Sequence, residues 1–81
     1  MPVHSLTNIT TNASTYTALS ATSIGEKVIT LTITVDSIMT TASNNTFSTT
    51  IPAGRYTMVD DPAHLYFKTV SGAGAVYAFY K

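Results

Sequence analysis

Asp60, Asp61 and His64 crowd two carboxylates and an imidazole into one short segment, the only place in the 81-residue chain where metal-ligating side chains lie so close together. Oxygen and nitrogen donors of this kind suit a divalent cation. The segment reads Asp60-Asp61-Pro62, however, and Asp-Asp-Pro also makes a turn, in which aspartate bonds its neighbouring backbone and proline restricts the residue before it. The turn reading outweighs the metal reading, and no EF-hand spacing supports the latter. The eight serines include none in a G-x-S-x-G elbow, and the only histidines available as a base are His4 and His64. The remaining acids, Glu26 and Asp36, are isolated, so a pair of carboxylates for hydrolysis is not evident. Gly72-Ala73-Gly74 has the glycines of a phosphate loop but no helix pattern after it, which favours a turn between strands. Three sequons, at Asn8, Asn12 and Asn44, follow largely from a chain rich in Ser and Thr. The expectation is a protein that is not an enzyme, with no cofactor and no metal.

Composition points to the kind of scaffold that carries these residues. Charged residues make up 10% of the chain, against about 25% in an ordinary globular domain, while 16 Thr and 8 Ser supply short hydroxyl groups in their place. Hydroxyl surface costs far less to bury than Lys or Glu, so a surface of this kind suits contact with other chains. No Asp, Glu, Lys or Arg occurs in residues 1–25 or 37–54. The four cations Lys27, Arg55, Lys68 and Lys81 are scattered along a chain of net charge zero, which argues against nucleic acid as a partner. No apolar run is long enough for a membrane span or a signal peptide, so synthesis in a cytoplasm and no membrane partner are expected.

Residues 27–35 give the strongest structural signal. Ile29, Leu31, Ile33 and Val35 alternate with Thr30, Thr32 and Thr34, a period of two that places one apolar and one threonine face on a central strand. Further strands are expected over residues 46–51, with Phe47, Thr49 and Ile51 on one face, over 55–59 after the turn Pro52-Ala53-Gly54, and over 64–70 and 75–80. The last two read as a hairpin, apolar or amphipathic on both sides, because Tyr66 and Phe67, like Phe79 and Tyr80, must point in opposite directions. Residues 3–9 and 16–19 are weaker strands. The whole is a single β domain over residues 1–81, a small antiparallel β-sandwich or barrel of six to seven strands. Residues 1–24 form a neutral Ser/Thr/Asn-rich arm or edge-strand region.

The uncharged Thr/Ser/Ala-rich chain, its Met-Pro start, the phrase Thr50-Ile51-Pro52-Ala53-Gly54-Arg55-Tyr56-Thr57 and a hairpin close to the last residue resemble small structural proteins of tailed-bacteriophage virions, head decoration (cement) proteins in particular. That resemblance implies a capsid-surface protein that binds and stiffens the major capsid protein lattice without chemistry, commonly as a trimer. Small size, low charge and the absence of disulfides separately favour self-association. The residues expected at such an interface are Val3, Leu6 and Ile9 of the arm, which could add a strand to a neighbouring sheet, with Tyr66 and Lys68 of the C-terminal hairpin. The alternative is a receptor- or carbohydrate-binding module of a phage fibre or adhesin, in which exposed tyrosines stack on sugars and Asp60 or Asp61 accepts hydroxyl hydrogen bonds.

Overall fold

The computed structural model describes residues 4–6, 8–41 and 48–81. Their strands are β1 (His4–Ser5), β2 (Ile9–Thr11), β3 (Thr17–Ala18), β4 (Lys27–Ile33), β5 (Ser37–Thr40), β6 (Ser48–Ile51), β7 (Gly54–Asp60), β8 (Tyr66–Thr69) and β9 (Gly74–Tyr80), with one 3-10 turn, Pro62–His64, before β8. Two antiparallel sheets pack face to face as a small all-β sandwich. Sheet A has the order β1-β9-β4-β7, with β2 also alongside β9; sheet B has the order β3-β8-β5-β6.

The alternation of β4 dictates its place. Ile29, Leu31 and Ile33 are buried, and both edges of the strand are paired, with β7 on one side and β9 on the other. A seven-residue strand with one continuous apolar row is stabilised most where neighbours cover both its backbone edges. Pairing ends at Ile33, short of the expected residue 35, because the chain leaves the sheet there. The Thr34 N–H still donates to Ala75 O, and the Ser37 hydroxyl then donates to Val35 O at the bend that leads into sheet B. Phe67 of sheet B and Leu65, just before β8, meet Ile29, Leu31, Ile33, Val76 and Ala78 of sheet A, and Leu19 completes the cluster. Leu6, Ile9, Met39, Ile51, Tyr56, Met58 and Tyr80 pack around its margin.

Three features differ from the sequence expectation. The segments 64–70 and 75–80 are not a hairpin: β8 lies between β3 and β5 in sheet B, whereas β9 lies beside β1, β2 and β4 in sheet A. Each strand carries its own inward apolar row, and those rows gain more by meeting across the core than by lying side by side, so residues 70–73 cross the sandwich instead of turning back. Gly74 occupies the landing point of that crossing. A Cβ there would stand 2.5 Å from Val35 Cγ2 and 3.1 Å from Thr69 Cγ2, so only glycine fits. The second difference is β5, which is paired on both sides although its two apolar residues, Ile38 and Met39, are adjacent and show no alternation. Third, the described residues hold nine strands where six to seven were expected, because β5 joins the set and two short strands, β1 and β2, stand where one was expected; of the strand expected over 46–51, residues 48–51 form β6, and Thr46 and Phe47 lie outside the described residues.

Candidate binding surface

The side of sheet A that turns away from the core is made of the alternate residues of its three long strands. Register places Thr32 between Tyr77 and Arg55, Thr30 between Phe79 and Thr57, and Val28 beside Val59. Four large apolar side chains are exposed on this face: Val59 at 64%, Val28 and Tyr77 at 45%, and Phe79 at 38%. The hydroxyls of Thr30 and Thr57 approach to 3.4 Å between them. Among these positions Arg55 carries the one charge. The surface can therefore bury aromatic and aliphatic area while threonine hydroxyls supply short hydrogen bonds, a mixture suited to protein contact. Its signal lay in the sequence as the threonine side of residues 27–35, but Val28, Val59, Tyr77 and Phe79 become one patch only when three strands are set in register.

Asp61 is 5% exposed and holds the chain together. Its carboxylate accepts the Ser23 hydroxyl, the N–H of Gly25 at 3.1 Å, that of Ile24 at 3.4 Å and that of Ala63 at 3.0 Å, the last as N-cap of the 3-10 turn. The Ser23 hydroxyl above all, then these N–H groups, hold its pKa at about 2 against the ordinary 3.8, although burial works the other way. The remaining members of the sequence cluster behave differently. His64 Nδ1 lies 3.9 Å from Asp60 Oδ1 at the surface, and the other Asp60 contact is Oδ1 accepting the Asp61 N–H at 2.7 Å. Among the described residues, no three His, Cys, Asp or Glu side chains gather as a metal site. Of the four contacts at Asp61, a turn accounts for the Ala63 N–H alone; the Ser23 hydroxyl and the N–H groups of Ile24 and Gly25 come from a segment 36–38 residues earlier.

Leu6 and Ile9 pack against the core margin and line a cleft of about 340 Å³ together with Ala18, Leu19, Ser20 and Ala21, between the edge strands of the two sheets. Leu6 N–H donates to Ala78 O, and β2 pairs with β9 from Ile9 to Thr11, so Leu6 and Ile9 are tied to sheet A. Val3 lies outside the described residues. Tyr66 and Lys68 are half-buried on β8, where the Lys68 ammonium sits 4.8 Å from the Tyr16 ring centroid. His4 stacks on Tyr80, with centroids 5.1 Å apart. At the second sequon, Asn12 Oδ1 accepts the N–H groups of Ser14 and Thr15, closing a turn. No helix among the described residues is long and apolar enough to cross a membrane. Compared with known proteins, the chain matches no family model, no curated protein and no solved structure.

Proposed function

We propose that this chain is a non-enzymatic structural protein of the head decoration type, which attaches to the major capsid protein lattice of a tailed bacteriophage and stabilises it by binding alone. The observation that carries the reading is the outward face of sheet A, where Val28, Val59, Tyr77 and Phe79 are exposed among threonines. Burying one such ring or branched side chain contributes about 1.5–3 kcal/mol. A protein that binds the assembled lattice in preference to free subunits shifts assembly by mass action, with no catalytic step. Tyr66 and Lys68 on the other sheet offer a second, smaller contact, and neither nucleic acid nor membrane takes part.

Co-sedimentation with assembled particles tests the proposal. Replacing Tyr77 and Phe79 together by Ser should weaken particle binding by about a hundredfold, the loss of roughly 3 kcal/mol, and leave the circular dichroism unchanged. Undiminished binding by this variant removes the face from the mechanism, and failure of the native chain to bind particles removes the decoration reading. A receptor- or carbohydrate-binding module is the second reading, favoured by one observation: Tyr77 and Phe79 present two rings on one flat face at the spacing of alternate strand residues. Retention on immobilised glycans but not on particles would put that reading first.

A further inference from the structure

The backbone of β7 has an open side. In sheet A, Lys81 N–H donates to Val28 O and Thr34 N–H to Ala75 O, so the even-numbered residues of β4 direct their backbone groups toward β9. Its odd-numbered residues, Lys27, Ile29, Leu31 and Ile33, therefore bond to their register partners in β7, namely Asp60, Met58, Tyr56 and Gly54. This leaves the N–H and C=O groups of Arg55, Thr57 and Val59 facing outward, and β7 is the last strand of its sheet. All three residues are exposed, and no backbone hydrogen bond reaches them among the described residues. Natural edge strands are usually blunted by lysine, proline, a bulge or short length. β7 is seven residues long, and its stretch from Tyr56 to Val59 has no charge and no proline.

We infer that β7 pairs with β7 of a second copy of this chain, antiparallel about a two-fold axis through Thr57, joining two A sheets into one. The register follows from the sequence of the strand. A two-fold axis perpendicular to the sheet keeps inner faces with inner faces, which requires each residue to lie opposite one of the same parity. Centring on Thr57 does this and also sets the outward-facing residues against each other: Arg55 opposite Val59, Thr57 opposite Thr57, and Val59 opposite Arg55. Each of these three pairs exchanges two backbone hydrogen bonds. Between them Tyr56 comes opposite Met58, in the pairs where side chains approach most closely. Both are half-buried at the core margin, and a thioether against a tyrosine ring is a favourable contact. On the outer face, the apolar stem of Arg55 lies over Val59, the most exposed of the large apolar side chains. A second copy therefore fits this edge in hydrogen bonding, facing and side-chain chemistry together.

The inference stands apart from the capsid reading, but the two are compatible: the symmetry turns both outer faces to the same side, giving a dimer two copies of the proposed contact. Light scattering coupled to size exclusion across the micromolar range, with amide hydrogen exchange on the same samples, provides the test. The native chain should be a dimer with slow exchange at Arg55, Thr57 and Val59 that is lost on dilution. Thr57→Pro deletes an outward N–H that the monomer does not use, as edge strands tolerate; it should raise the dimer dissociation constant at least tenfold, while Thr57→Val leaves it unchanged. If Thr57→Pro does not fold, Val59→Lys, which charges the same edge, takes its place. A monomer throughout the range, a trimer or dimer with fast exchange at these three amides, or full dimerisation of the substituted edge would each overturn the inference. Particle binding is read separately, so its failure leaves this result standing.

Discussion

Among the described residues, sheet A contains three strands of seven residues, β4, β7 and β9, whereas the strands of sheet B have four residues or fewer. Long ladders order sheet A through repeated backbone bonds and the inward row of β4. Sheet B has little ladder of its own, and the segments that cross to it from sheet A are tied in pairs by polar side chains. At one end Asp61 holds residues 23–25, on the way from β3 to β4, to the segment between β7 and β8. At the other, Asp36 between β4 and β5 accepts the Ala53 N–H between β6 and β7 at 2.9 Å, and the Tyr56 hydroxyl donates to Pro52 O at 2.6 Å. The Thr69 hydroxyl donates to Gly72 O where the chain leaves β8. In a small chain without cysteines, carboxylates at crossings do part of what disulfides do elsewhere.

The largest effect should come from breaking sheet A at its centre. Leu31→Asp places an unpaired carboxylate where the side chain is fully buried, a change of several kcal/mol against a typical total of about 5–15 kcal/mol, and circular dichroism should report an unfolded chain. Thr32→Asp, one residue along on the outer face, should alter stability by about 0.5 kcal/mol or less. A folded Leu31→Asp protein would mean that sheet A is not the frame.

Next in size is the tie at Asp61. Because its folded pKa lies below the ordinary value, its ionised form stabilises the fold above about pH 4, and that contribution is lost as pH falls toward about 2. Asp61→Ala should melt at a lower temperature than the native chain at neutral pH and lose stability less steeply between pH 4 and 2. Equal melting temperatures at neutral pH would show that the crossings do not depend on this carboxylate.

Smallest is the Tyr56 hydroxyl. Tyr56→Phe keeps the ring at the core margin and removes one hydrogen bond to Pro52 O, so urea denaturation should show a loss of about 1 kcal/mol. A loss far above this would shift weight from the Asp61 end of the sandwich to the Asp36 end.

Much of the fold is legible in the amino-acid order because side-chain alternation is a local property. Val28 to Ile33 announce an inner and an outer face whatever surrounds them, and the buried Ile29, Leu31 and Ile33 follow directly. The scarcity of charge and the turn residues at 52–54, 60–62 and 72–74 likewise point to an all-β chain. β5 escaped this reading because four residues with adjacent Ile38 and Met39 have no period to detect, and its place comes from two neighbours that accept its backbone bonds.

The candidate site was legible only in fragments. Tyr77 and Phe79 share a face by spacing alone, but their alignment with Thr30, Thr32, Thr57 and Val59 depends on β4 lying between β7 and β9. Pairing choices of this kind are made by chain segments far apart in sequence, under the requirement that every inward apolar row meet another across the core. That requirement separated β8 from β9, which read as a hairpin when taken alone. It also brought Ser23, Ile24 and Gly25 to Asp61, some 36–38 residues away, so that a carboxylate able to serve a turn or a metal became a buried acceptor for its own backbone. Amino-acid order determined the long strands, their faces and the scarcity of charge. Tertiary structure decided which strands are neighbours and which edge is left open, because hydrogen-bond partners across a sandwich are set by where the chain crosses and not by what lies next to it in sequence.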